Sequence, residues 1–207
     1  MVSDTVGIIQ SRMKSDGNIG YWTSKSPQDS AITLYCADFL TDAQKKDFYV
    51  PSSMFTKVLS AVKSIANSYE DDSYSIYLRS YAIYILTKNE EVTTHYIEDL
   101  EKDLSIFDSS SEYEKLYLAA SYKMMMQEEK ANKLYNAAKF DMMFDSSWDY
   151  QNELHYNSTY IDIVSTYFPE KVKHITKEQV ESFCNRLRFN FFNSFSKLFC
   201  LLISSSF

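Results

Sequence analysis

The chain has 207 residues, 45% hydrophobic and 24% charged, which suffices for one buried core and lies outside the range of disordered sequences. Its net charge of −7 and scattered lysines exclude the basic stripe of a nucleic-acid binder. Three cysteines, Cys36, Cys184 and Cys200, are odd in number and too widely spaced for a disulfide framework or a C-x-x-C site.

The first nine residues lack a basic region, and their apolar run is too short for a signal peptide. Asp16-Gly17-Asn18-Ile19-Gly20-Tyr21-Trp22 then gathers two of the three glycines beside two large rings. Glycine is needed where φ is positive or where backbones approach closely, so this segment predicts a tight turn packed by Trp22. Pro27 opens a helix over residues 31–43, and Tyr49-Val50-Pro51 stops the connection. With Ser52 or Ser53 as cap, Met54, Val58, Leu59, Val62, Ile65 and Ala66 form a helical stripe with one wet face. Residues 74–86 are apolar nearly all round and must be buried on most sides. A narrow stripe of Val92, Tyr96, Leu100 and Leu104 follows.

Ser111-Glu112-Tyr113-Glu114 reads as a capping box opening a helix with Leu116, Tyr117, Ala120 and Met124 inward. Residues 130–140 carry Ala131, Leu134, Tyr135 and Ala138, and residues 159–168 stop at Pro169. Thr176 to Gln179 forms a second capping box. Buried helices therefore alternate with amphipathic ones, with starts about every twenty residues, as in two layers of antiparallel neighbours. An α/α toroid and an open solenoid of helix pairs both satisfy that pattern.

The D-G-x-x-G-Y-W turn, the T-x-Y-x-A-D-F-L helix and the Y-x-V-P stop, in that order, resemble the thioester-domain region of bacterial alpha-2-macroglobulins. Tyr81 to Leu86, Leu116 to Ala120 and Ser158 to Asp162 resemble later helices of the same region. The resemblance covers residues 16–196. It implies an all-α fold, an α/α toroid of the terpenoid cyclase-like, thioester-domain type, here an incomplete ring of paired helices. It also implies a fragment of a periplasmic endopeptidase inhibitor that traps proteases when intact. The partners implied are the remaining domains of such a protein and its target proteases. With no signal peptide, the chain made alone is expected in the cytoplasm.

The family's reactive device is a Cys-x-Glu-Gln thioester. No cysteine here precedes Glu-Gln: the contexts are Cys36-Ala-Asp, Cys184-Asn-Arg and Cys200-Leu-Leu. In the family the thioester lies upstream of the glycine turn, so the expectation is a chain that starts after it. No enzyme activity, metal or cofactor is expected. Asp16, Gly17, Gly20, Tyr21 and Trp22 are read as a structural turn, not as a catalytic site. Zinc ligation is disfavoured because Cys36 and Asp38, two apart on a helix, diverge by about 200°. His95, His155 and His174 each stand alone.

Other readings stay open. Ala131-x-x-Leu134-Tyr135-x-x-Ala138 would suit a free-standing helical-repeat scaffold. Asp141, Asp145, Asp149 and Glu153, beside Trp148, Tyr150 and Tyr156, could serve a toroid glycoside hydrolase, which needs two facing carboxylates. Residues 197–207 fit no helical or family pattern, as a shift of reading frame near Lys197 would produce. From Leu187 onward the segment, interrupted by Asn190, Asn193 and Lys197, is too short to cross a bilayer, which needs about 20 apolar residues. The tail is expected to lie outside the regular helix pairing.

Overall fold

The computed structural model describes residues 2–68, 73–104, 112–138 and 153–174, with 177 and 181 as further helical positions. Seven helices occupy the described part of a first compact unit, Met1–Ala138: α1 (Val2–Arg12), α2 (Ser30–Lys45), α3 (Ser52–Ala66), α4 (Ser73–Lys88), α5 (Thr94–Leu104), α6 (Glu112–Met124) and α7 (Glu128–Ala137). A second unit, Lys139–Phe207, holds α8 (Glu153–Tyr167) and a 3-10 turn, Pro169–His174. Among the described residues there is no strand, only two isolated bridges, Met13 with Ile19 and Gly20 with Gln28.

Burial follows the alternation predicted from spacing. Every residue of α4 from Ser75 to Lys88 is buried, Arg79 and Lys88 included. In α6 all of Tyr113 to Tyr122 are buried except Lys115. By contrast α3 buries one face through Met54, Val58, Ala61, Val62, Ile65 and Ala66 and leaves its other side wet. The two deep helices lie beside each other with α2, and α3 and α5 flank them. Side-chain partners show that α2, α4 and α6 run parallel. Tyr35 meets Tyr77 near their N-terminal halves, Asp42 meets Lys88 at the C-terminal ends, and Tyr77 meets Tyr113. Parallel inner helices separated by outer ones are the paired layers of an α/α toroid.

These three inner helices end alike. Each passes into a residue of left-handed conformation: Asp47 (φ 59°), Glu90 (φ 63°) and Met126 (φ 61°). The next N–H then bonds back to a carbonyl five residues earlier. Phe48 bonds to Ala43, Glu91 to Leu86 and Gln127 to Tyr122, at 2.9, 3.1 and 2.9 Å. That bond is the signature of a Schellman cap, which satisfies carbonyls a helix end would otherwise leave bare.

The start of α2 is fixed by Asp29, whose carboxylate accepts from the Ile32 N–H at 3.0 Å, so the helix opens at Ser30, beyond Pro27 and Gln28. Neither Ser52 nor Ser53 caps α3: both are helical, and the cap position is Pro51, with no side-chain bond. Proline's fixed φ already leads the chain into the first turn. The stripe expected on α5 holds in part: Leu100 is fully buried and Tyr96 half-buried, whereas Val92 precedes the helix and is exposed, and Ile97, outside the expected stripe, is also fully buried. The helix starting near residue 130 begins earlier, at Glu128, and α8 begins at Glu153 rather than 159. Ser111, Thr176 and the tail 197–207 lie outside the described residues.

Candidate functional site

The glycine turn is built as a wedge between α2 and α3. Asp16 Oδ1 accepts from the Asn18 N–H at 3.1 Å, and that bond holds its carboxyl below the usual carboxylate range. The Lys14 N–H donates to Asn18 O at 2.8 Å and the Gly20 N–H to Arg12 O at 3.0 Å, closing the turn on the end of α1. Gly17 has φ of 90°, and a Cβ there would lie 2.0 Å from the Lys57 carbonyl oxygen. Gly20 has an ordinary φ, but a Cβ would lie 2.0 Å from Thr23 O. One glycine thus supplies a positive φ against a helix backbone, and the other a close approach.

The aromatic pair does not pack this turn. Trp22 is 48% exposed and Tyr21 39% exposed, with ring centroids 5.6 Å apart, one ring leaning on the other at the surface. Exposure of Trp22 runs against the expectation that it anchors the segment. The anchor is Ile19, which is 1% exposed. Its N–H donates to Thr33 Oγ1 at 3.0 Å, and that hydroxyl donates to Asp29 O at 2.9 Å. Ile19 is the only aliphatic residue between the two glycines, a signal the sequence carried.

Along the seam of α2, α4 and α6 runs a buried set of tyrosines. Tyr77 meets Tyr113 edge-on at 5.3 Å, and Tyr81 stacks on Tyr117 at 4.7 Å with planes 14° apart. The Tyr35 and Tyr77 hydroxyls lie 3.3 Å apart, and the Tyr81 hydroxyl donates to Asp38 Oδ2 at 2.9 Å. Below them Lys88 Nζ binds Asp38 and Asp42, each at 2.6 Å, and the Asn89 amide donates to Thr41 Oγ1 at 3.0 Å. Burial works against the Lys88 charge, but the two aspartates outweigh it and raise its pKa.

Burial holds the phenols and the thiol of this region in their protonated forms. Burial pushes the Tyr35 hydroxyl up to about 12 and raises Tyr77, Tyr81 and Tyr113 further, so the phenols stay protonated at neutral pH. The Cys36 thiol is pushed up to about 11 by burial, with Arg12 acting weakly the other way. A nucleophilic cysteine needs the opposite shift. Asp38, two residues on, is held by Lys88 and Tyr81. Among the described residues no group of three or more His, Cys, Asp or Glu could hold a metal ion. His95 is exposed beside Tyr96, His155 lies in the first turn of α8, and His174 ends the 3-10 turn. Of the acidic set, Asp141, Asp145, Trp148, Asp149 and Tyr150 lie outside the described residues. Glu153 opens α8, and Tyr156 is fully buried beside Tyr160.

The fold has solved counterparts. Native alpha-2-macroglobulin from Escherichia coli, solved from domain MG7 to the C-terminus, superposes with a TM-score of 0.69 over 88% of this chain and 29% of that one, at 15% identity. This is therefore an all-α domain of the toroid type found in alpha-2-macroglobulin structures. No family model matches the chain. Among curated proteins, an alpha-2-macroglobulin homolog of Yersinia pestis is 27% identical over 208 residues, covering 97% of this chain and 10% of its own length. The alpha-2-macroglobulin of Rickettsia conorii is 28% identical over 201 residues, covering 95% and 11%. The chain is similar along nearly its whole length to bacterial alpha-2-macroglobulins, and it spans about a tenth of the length of the curated relatives it matches. Among the described residues no helix is long and apolar enough to cross a membrane.

Proposed function

We propose that the chain is a structural and docking module of an alpha-2-macroglobulin-type endopeptidase inhibitor, acting without thioester chemistry and inert as a protease trap by itself. The observation that carries this reading is a match along nearly the whole chain to about a tenth of each relative. A trap that encloses a protease needs the other nine-tenths as well. The chemistry agrees: no Cys-x-Glu-Gln occurs in the sequence, and the half-buried Cys36 has a raised pKa. The partners of the module are the remaining domains of such a polypeptide and, through them, target proteases; its working compartment is the periplasm. The turn of Asp16, Gly17, Gly20, Tyr21 and Trp22 serves to fix α1 and α2 against α3, and no residue of it acts on a substrate.

Calorimetric titration of the purified chain into the remaining domains of a bacterial alpha-2-macroglobulin tests this. Saturable one-to-one binding supports the docking role, with trypsin left fully active on protein substrates in the presence of the chain alone. Absence of heat at high concentration, or inhibition of trypsin by the chain alone, overturns it.

A further inference from the structure

Three consecutive methionines close α6 and enter the loop to α7, and they differ in exposure. Met126, in the left-handed cap position, is 88% exposed, the most exposed large hydrophobic side chain among the described residues. Met124 and Met125 are half-buried and line an open cavity of about 600 Å³ with Thr87, Lys88, Val92 and Thr94. The Met125 sulfur faces two hydroxyls that donate toward it, Thr93 Oγ1 at 3.6 Å and Thr94 Oγ1 at 3.8 Å. Those hydroxyls stand where an oxidant would approach the sulfur lone pairs. They also join the end of α6 to the start of α5. Met54, in α3, is 3% exposed.

We propose that Met126 and Met125 form a two-step sulfoxidation site for hydroperoxides. In each step a sulfur lone pair attacks one peroxide oxygen, the O–O bond breaks, and an S–O bond forms. With hydrogen peroxide the departing oxygen leaves as water, carrying both hydrogens. The sulfur gives up two electrons and the peroxide is reduced by two. At Met126 the new polar oxygen enters solvent where nothing packs, so the fold is unchanged. At Met125 the thioether must first lose its hydroxyl contacts. Its sulfoxide then sits at the junction of α5 and α6, where added polarity and bulk loosen the packing. The outer sulfur consumes oxidant harmlessly, and the inner one links a larger dose to loss of structure.

The test is graded hydrogen peroxide treatment of the full chain, followed by peptide fragmentation mass spectrometry and thermal unfolding. Met126 should oxidise about tenfold faster than Met125 or Met54, in line with the dependence of sulfoxidation on access. Protein oxidised at Met126 alone should keep the untreated midpoint, and the midpoint should fall as Met125 sulfoxide appears. Met126→Leu should remove the fast phase and leave the midpoint unchanged. Met125→Leu should keep the fast phase and abolish the fall that tracks the slow one. Equal rates at Met125 and Met126, or a midpoint that falls with Met126 sulfoxide alone, would overturn the proposal.

Discussion

Replacing each of the three glycines by alanine separates three physical situations within one chain. Gly7 lies inside α1 with nothing within 4 Å of its missing Cβ. Alanine there removes backbone entropy from the unfolded state and should stabilise by about 0.5–1 kcal/mol. Gly17 combines a φ of 90° with a Cβ position 2.0 Å from the Lys57 carbonyl. The left-handed conformation costs alanine about 1–2 kcal/mol and displacing a helix backbone about 1–3 more, a loss of about 2–5 kcal/mol. Gly20 has the close approach without the positive φ, and its obstacle, Thr23 O, belongs to an exposed loop that can yield. Its cost should be smaller, about 1–3 kcal/mol. Urea unfolding followed by circular dichroism reads these differences, and the Gly17→Ala midpoint should fall by roughly 1–2 M. A Gly17→Ala protein as stable as the parent, or less affected than Gly20→Ala, would refute the wedge geometry.

The Schellman residues predict the opposite sign: Asp47→Gly and Glu90→Gly should each gain about 0.5–1 kcal/mol in the same urea assay, because glycine avoids the left-handed penalty. Lys88→Met should cost about 1–3 kcal/mol, discounted from a fully buried pair because Asp42 is half exposed, and unfolding midpoints check this. Burial raises the pKa of Tyr35, Tyr77, Tyr81 and Tyr113 above their unfolded value, so the folded state holds its protons longer. Their stabilisation is whole below about pH 10 and is lost as pH rises toward the folded values. Lys88, also raised, acts in the same direction. Tyrosinate absorbance at 295 nm should therefore rise together with loss of helix above about pH 10, and ionisation of all tyrosines before any unfolding would contradict this.

What could be read from the chain divides by range. Local signals served: the apolar wrap of residues 74–86 marked a helix that is buried from Ser75 to Lys88, and the stripe from Met54 to Ala66 marked the half-buried α3. The exits of the inner helices were illegible because Asp47, Glu90 and Met126 occupy positions where glycine would have announced a left-handed cap. Trp22 was misread because ring size suggested burial. The packing of the turn is set by Gly17 against Lys57 and Ile19 against Thr33, contacts made across other elements. The pairing of Lys88 with Asp38 joins residues 50 positions apart on two helices, and no local pattern encodes it. The family resemblance, carried by motif order, pointed to the matched relatives even though one of its own supports, a buried Trp22, is absent.

Intact mass spectrometry of the purified chain, before and after methylamine and after incubation with trypsin, tests the central claim most directly. The account predicts a mass unchanged by methylamine, an unchanged count of free thiols and, after trypsin, no covalent protease adduct. A gain of one methylamine with release of one thiol, or a trypsin-linked species, would contradict it.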